Sequence, residues 1–207
     1  MAREKNKRKP RVKIAIVGDG QTEKIYFEQL KEEESIPDID IKPDIPDKYG
    51  GYLSAIEKAK FLVESGYDFV FCLIDLDKVI SDGKLKWLET ETKKLERSGA
   101  CKVLLCNPCF EIWFLLHHIP TTKLFRSYSE LEKELHKHMA SYTKEIKYLK
   151  SKNIYKLLKD KLPTEAIPNS VRLEKNQSDV SAHHPRCQVH VIFQRLFPKD
   201  ERFNRTV

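Results

Sequence analysis

Three short apolar runs decide what this chain can become. Residues 12–17 (VKIAIV), 68–74 (DFVFCLI) and 101–106 (CKVLLC) are six or seven residues long, rich in β-branched side chains, and each stops at a polar turn. Runs of this kind are strands buried on both faces, and here they alternate with amphipathic stretches. The first stretch starts at Thr22 and places Tyr26, Phe27 and Leu30 on one side; the next covers 52–65 with Gly66 as its stop, and a third covers 84–98. A brief strand fits near 39–42. Strand and helix in this alternation predict βαβ units, hence an α/β fold with a largely parallel sheet and helices on its faces.

Beyond Pro120 no strand pattern is found, and 127–139, 143–161 and 186–197 read as amphipathic helices. The chain of 207 residues therefore divides into a basic tail (1–10), an α/β core (11–120) and a basic helical C-terminal region (121–207). Charge follows this division: residues 14–119 carry a net −7, whereas 1–13 and 120–162 carry +6 each. Basic segments flanking an acidic half suit a polyanionic partner such as DNA or RNA, although Lys-rich helices are also simply solvated faces. No apolar stretch approaches the ~18–20 residues of a membrane span. The N-terminus lacks a secretory signal, and five cysteines do not suggest a disulfide scaffold, so the expected compartment is the cytosol.

In open parallel sheets the reactive crevice lies beyond the carboxyl ends of the strands. The first strand delivers Asp19 and then Glu23, the second Asp75 and Asp77, and the third Asn107 with Glu111 shortly after it. Asn107-Pro108 reads as a helix N-terminus with Asn as cap, which sets Glu111 one turn into an apolar helix. There, within Phe110–Leu116, it needs a partner, a proton or a metal. Asp75 and Asp77 point the same way if their strand continues that far. Carboxylates converging on one crevice repel one another, and a hard cation such as Mg²⁺ or Mn²⁺ makes such a cluster tolerable. Two such ions ~3.5–4 Å apart suit phosphodiester cleavage. The competing reading of each acid alone is a helix cap or a surface turn.

The segments GDGQTEKIYF, LIDLD and NPCFEIWFLLHH, in this order, resemble the RloB-like proteins, as does the terminal HHPRCQVHVIFQRLF at Pro185, Val189 and His190. This resemblance implies a Toprim-like sheet, a place in restriction-modification or phage abortive-infection loci, and control by a partner ATPase of the ABC or AAA type. By analogy with Toprim nucleases it implies a metal-dependent nuclease in which Asp19, Glu23, Asp75 and Asp77 hold Mg²⁺ or Mn²⁺. Asp19 stands where those proteins usually carry Glu, and His184, Arg186 and Cys187 replace the family's Asn, Ser and Thr. The alternative implied function is a noncatalytic module that binds nucleic acid or the ATPase.

Other signals are weaker. Cys106-x-x-Cys109 with Cys187-x-x-His190 nominally forms a zinc or redox set, but the apolar surroundings suit buried thiols better. No Walker A motif exists. Tyr148 and Tyr155 among the lysines of 144–161 suit either base stacking or packing. His117 and His118 read as polar surface, whereas His190, among Val189, Val191 and Ile192, is a candidate to orient a phosphate or a water.

Overall fold

A computed structural model of the chain describes residues 12–36, 39–44, 51–175 and 184–204. The predicted tail 1–10 lies outside them. The first half runs β1 (Val12–Val17), α1 (Gln21–Glu34), β2 (Ile39–Asp44), α2 (Tyr52–Glu64), β3 (Phe69–Asp75), α3 (Leu76–Ser81), α4 (Leu85–Glu96) and β4 (Cys101–Asn107). The second half runs α5 (Ile112–Leu116), α6 (Tyr128–Leu135), α7 (Ile146–Lys152), α8 (Ile154–Leu158), α9 (Ile167–Lys175), β5 (Arg186–Cys187), α10 (His190–Leu196) and α11 (Glu201–Asn204). The strands form one sheet in the order β2-β1-β3-β4-β5, parallel except for the last pair.

The period of two along each strand explains the layers. Ile14, Ile16, Phe71, Leu73 and Leu104 face a core shared with α1 and the C-terminal helices. Their neighbours Ala15, Val17, Val70, Cys72, Ile74, Val103 and Leu105 face α2, α3 and α4. The first of these cores runs without a break from Ile14 to Phe203, so the C-terminal helices pack on the sheet itself. In that core the Trp113 indole N–H donates to the Tyr26 hydroxyl at 2.9 Å. Tyr26→Phe strands this buried donor, at a cost of about 1–3 kcal/mol. For a chain of this size that is a fall in melting temperature of roughly 2–12 °C, readable in a thermal melt.

From the end of β4 onward the chain departs from the expected pattern in five places. A strand does exist beyond residue 120: β5 pairs antiparallel with β4, Cys106 opposite Cys187 and Asn107 opposite Arg186. Its two residues are too few for a periodic signal, and it is held by Glu174, whose carboxylate accepts from the Cys187 N–H and the Gln188 side-chain amide, both at 3.0 Å. Asn107 is no helix cap: it ends β4, its side chain donates to the His184 carbonyl at 2.5 Å, and the helix starts only at Ile112. The stretch 143–161 breaks at Asn153, in the left-handed region at φ 44°, while 127–139 forms a helix only over Tyr128–Leu135. The helix α9 was not anticipated. Among the described residues no helix is long and apolar enough to cross a membrane.

Candidate metal centre

Strand order locates the site. From β1 the chain passes through α1 to β2 on one side, then returns through α2 to β3 on the other side of β1. The carboxyl ends of β1 and β3 are therefore a topological switch point, where a crevice opens because the two connections leave in opposite directions. Asp19 follows β1, Asp75 is the last residue of β3, and Glu23 sits in the first turn of α1, where the helix dipole favours an anion.

These three acids converge. One oxygen from each of Asp19, Glu23 and Asp75 lies within 4.8 Å of the others, and among the described residues this is the one cluster of three or more metal-ligating side chains. The Asp75 N–H donates to Asp19 Oδ2 at 3.2 Å, which fixes the first turn against the third strand. Two glycines make room for Glu23. A Cβ on Gly18 would stand 2.8 Å from the Glu23 Cβ, and one on Gly20 would stand 2.8 Å from Glu23 Oε2. The backbone at Gly20 (φ −143°, ψ 172°) is extended, so alanine fits there conformationally and meets only the flexible end of Glu23. Gly20→Ala is expected to leave the melting temperature nearly unchanged while weakening Mn²⁺ binding by about ten-fold or more, measured by calorimetric titration.

Electrostatics mark the cluster as short of positive charge. Burial raises the Asp19 carboxyl to about 6, opposed by its hydrogen bonds with Glu23 and the Asp75 N–H. Glu23, 3% exposed, is pushed well above the usual carboxylate range by burial and then by Asp19 and Glu111. Asp75 is pushed well up by burial and by Asp19, Glu23 and Glu111. Without a cation, such a group shares protons. Oxygens bound to one octahedral Mg²⁺ stand about 3–4.2 Å apart, so the trio fits such an ion after small adjustments. An all-oxygen donor set favours Mg²⁺ or Mn²⁺ over zinc.

Other candidates occupy different positions. The strand ends at Asp75, so alternation does not orient Asp77; it lies in the first turn of α3, half-buried, outside the trio. Its Oδ1 accepts from the Lys78 N–H at 2.6 Å, and its own N–H donates to the Pro108 carbonyl. Glu111, fully buried, just precedes α5 and has a protein partner: Lys144 Nζ is 3.0 Å from Oε2, and the Tyr142 hydroxyl donates to Oε1 at 3.1 Å. Burial works against the charge of Lys144, but Glu111, Cys109 and Asp75 outweigh it and hold its pKa above the ordinary lysine value. His190 opens α10, buried, with Nδ1 2.7 Å from the Ser170 hydroxyl, which donates to the Cys187 carbonyl at 2.6 Å. Burial lowers its pKa to about 4, so it is neutral at pH 7.

Three sequence readings need correction or completion. His117 is not surface: it is fully buried with Nδ1 on the Trp113 carbonyl at 2.8 Å. Tyr155 is fully buried with its hydroxyl on Glu34, so it packs rather than stacks on bases. All five cysteines are free and buried. Sequence reasoning missed Lys144 and Tyr142 as partners of Glu111; a buried acid announces that it needs a partner, but not which residue thirty positions away supplies it.

A family model described as RloB-like protein matches residues 14–196. The chain belongs to the RloB-like family. The match runs from within β1 to the end of α10, and thus includes all six candidate residues of this RloB-like protein. No curated protein and no solved structure matches the chain.

Proposed function

We propose that this RloB-like protein is a cytosolic, Mg²⁺- or Mn²⁺-dependent nuclease of phage defence that cleaves phosphodiester bonds, under the control of an ABC-type or AAA ATPase. One observation carries the reading: Asp19, Glu23 and Asp75 converge at the switch point of a parallel sheet. These three would hold the ion, which would supply charge neutralisation at a phosphate and activation of water. Asp77, fixed at the rim by the Lys78 N–H, is the group to take a proton from the attacking water. Gln29 joins the basic segment to the site. Its amide donates to the Leu149 carbonyl at 2.8 Å and accepts from the Tyr155 N–H at 3.2 Å, which pins α7 and α8 against α1. The exposed Lys147, Lys150 and Lys152 then offer phosphate contacts on a helix packed beside α1.

A noncatalytic accessory module, binding nucleic acid or the ATPase, is the second reading, favoured by Asp19 in place of the Glu that Toprim nucleases usually carry. Against it stands the reach of that shorter side chain, whose oxygen still joins the other two. Incubation of the purified protein with RNA and DNA in Mg²⁺ or Mn²⁺ separates the two. Metal-dependent cleavage that disappears in Asp75→Ala supports the nuclease; metal-insensitive behaviour identical in both proteins rejects it.

A further inference from the structure

The contact between Glu111 and Lys144 is left unused by the proposed centre, yet it stands beside it. Glu111 has no exposed surface; its Oε1 accepts from the Tyr142 hydroxyl at 3.1 Å, and its Oε2 pairs by charge with the Lys144 ammonium 3.0 Å away. Lys144 precedes α7, and its Nζ also lies 3.8 Å from the centre of the Tyr128 ring, a second attraction that fixes the ammonium in place. Its charge acts on Asp19, Asp75 and Asp77 as well as on Glu111. The ion pair draws the Glu111 carboxylate to Lys144, and an ammonium beside the cluster repels a second dication.

We infer that Lys144 stands in place of a second divalent ion: it holds Glu111 out of the ligand set, and the centre takes one ion per chain through Asp19, Glu23 and Asp75. This rests on the metal reading given above and narrows it. The ammonium then supplies, from the protein, positive charge that a two-ion centre draws from its second metal.

The test counts ions instead of cleaved bonds. The metal-free full chain is titrated with Mn²⁺ by calorimetry, with electron paramagnetic resonance read at saturation. One ion per chain and an isolated six-line spectrum are expected. Lys144→Met keeps an aliphatic stem over Tyr128 and releases Glu111, and is expected to bind two ions per chain; the double variant Lys144→Met with Glu111→Gln is expected to return to one. Two ions or a spin-coupled spectrum in the unaltered protein overturns the inference, as does a single ion in a folded Lys144→Met protein. Where Lys144→Met does not fold by circular dichroism, the count in the unaltered protein decides alone. A chain that binds no Mn²⁺ at all overturns the metal reading itself, and this inference falls with it.

Discussion

Asp75→Ala is expected to remove metal-dependent cleavage, by about 10²-fold at the least, and to abolish measurable Mn²⁺ binding. That floor is set by outer partners of metal ligands, whose loss alone costs about 10–100-fold in affinity or activity. Asp75 does two jobs in one residue. Its carboxylate is one of three converging oxygens, and its backbone N–H orients a second of them by donating to Asp19 Oδ2. Alanine keeps the N–H and deletes only the carboxylate, so the loss reports ligation and not the turn. Asp77→Asn, outside the trio, is expected to reduce cleavage while leaving the Mn²⁺ count and affinity nearly unchanged. A Mn²⁺ affinity that survives Asp75→Ala would mean that the trio is not the ligand set.

The acid trio is expected to make the metal-free protein lose stability as the pH rises from about 4 through the folded values, against the usual trend for carboxylates, a slope read as the difference between the unaltered protein and Asp75→Asn. Asp19 titrates near 6 in the folded chain against 3.8 as its ordinary value, and Glu23 and Asp75 are raised well above theirs. A raised pKa means that the folded state holds protons the unfolded chain has released. The stabilising contribution is complete below about pH 4 and disappears as the pH passes the folded values. Asp19 alone accounts for roughly 3 kcal/mol at ~1.4 kcal/mol per unit. His117, His118 and His190, lowered by burial, act in the opposite sense between about pH 4 and 6.5, where the unfolded chain takes up protons that they refuse, and the lowered Asp82, Glu91, Glu134 and Asp200 do so below pH 4. Mn²⁺ replaces the missing protons, so at 100 times its dissociation constant it adds about 2.7 kcal/mol, or roughly 5–10 °C in melting temperature, at pH 8. Thermal melts from pH 4.5 to 8.5, with and without Mn²⁺, check both arms; Asp75→Asn is expected to flatten the metal-free slope and erase the Mn²⁺ shift. A metal-free pH slope that Asp75→Asn leaves unaltered contradicts the charge balance described here.

The first half of the fold was legible because its signals are local. Each buried strand is a continuous apolar run of six or seven residues, and the layer assignment follows from alternation within it. The trio was legible for a related reason: a parallel sheet sends the carboxyl ends of its strands to one edge, so residues far apart in sequence meet there by topology. The second half was less so. Strand β5 has two residues and owes its existence to Glu174 and to the free edge of β4, which no window of sequence contains. The Asn-Pro pair at 107–108 has the chemistry of a helix start, but Asn107 is claimed first by the β4–β5 ladder and by the His184 carbonyl. Glu111 carried the right demand and no address. Its partner Lys144 looks, by charge and spacing, like every other lysine of its segment.

The order in which the parts of the crevice leave the ribosome has a consequence for the cell that makes them. Asp19, Glu23, Asp75 and Glu111 are all synthesised before Lys144, which neutralises Glu111, and before the edge strand that closes over β4. A nascent polypeptide that stops near residue 120 carries the acids with one of them unpaired in an unfinished interior, without the helices that complete the hydrophobic side of α1. Maturation of the crevice therefore waits until Lys144 and the helices that follow it have been made.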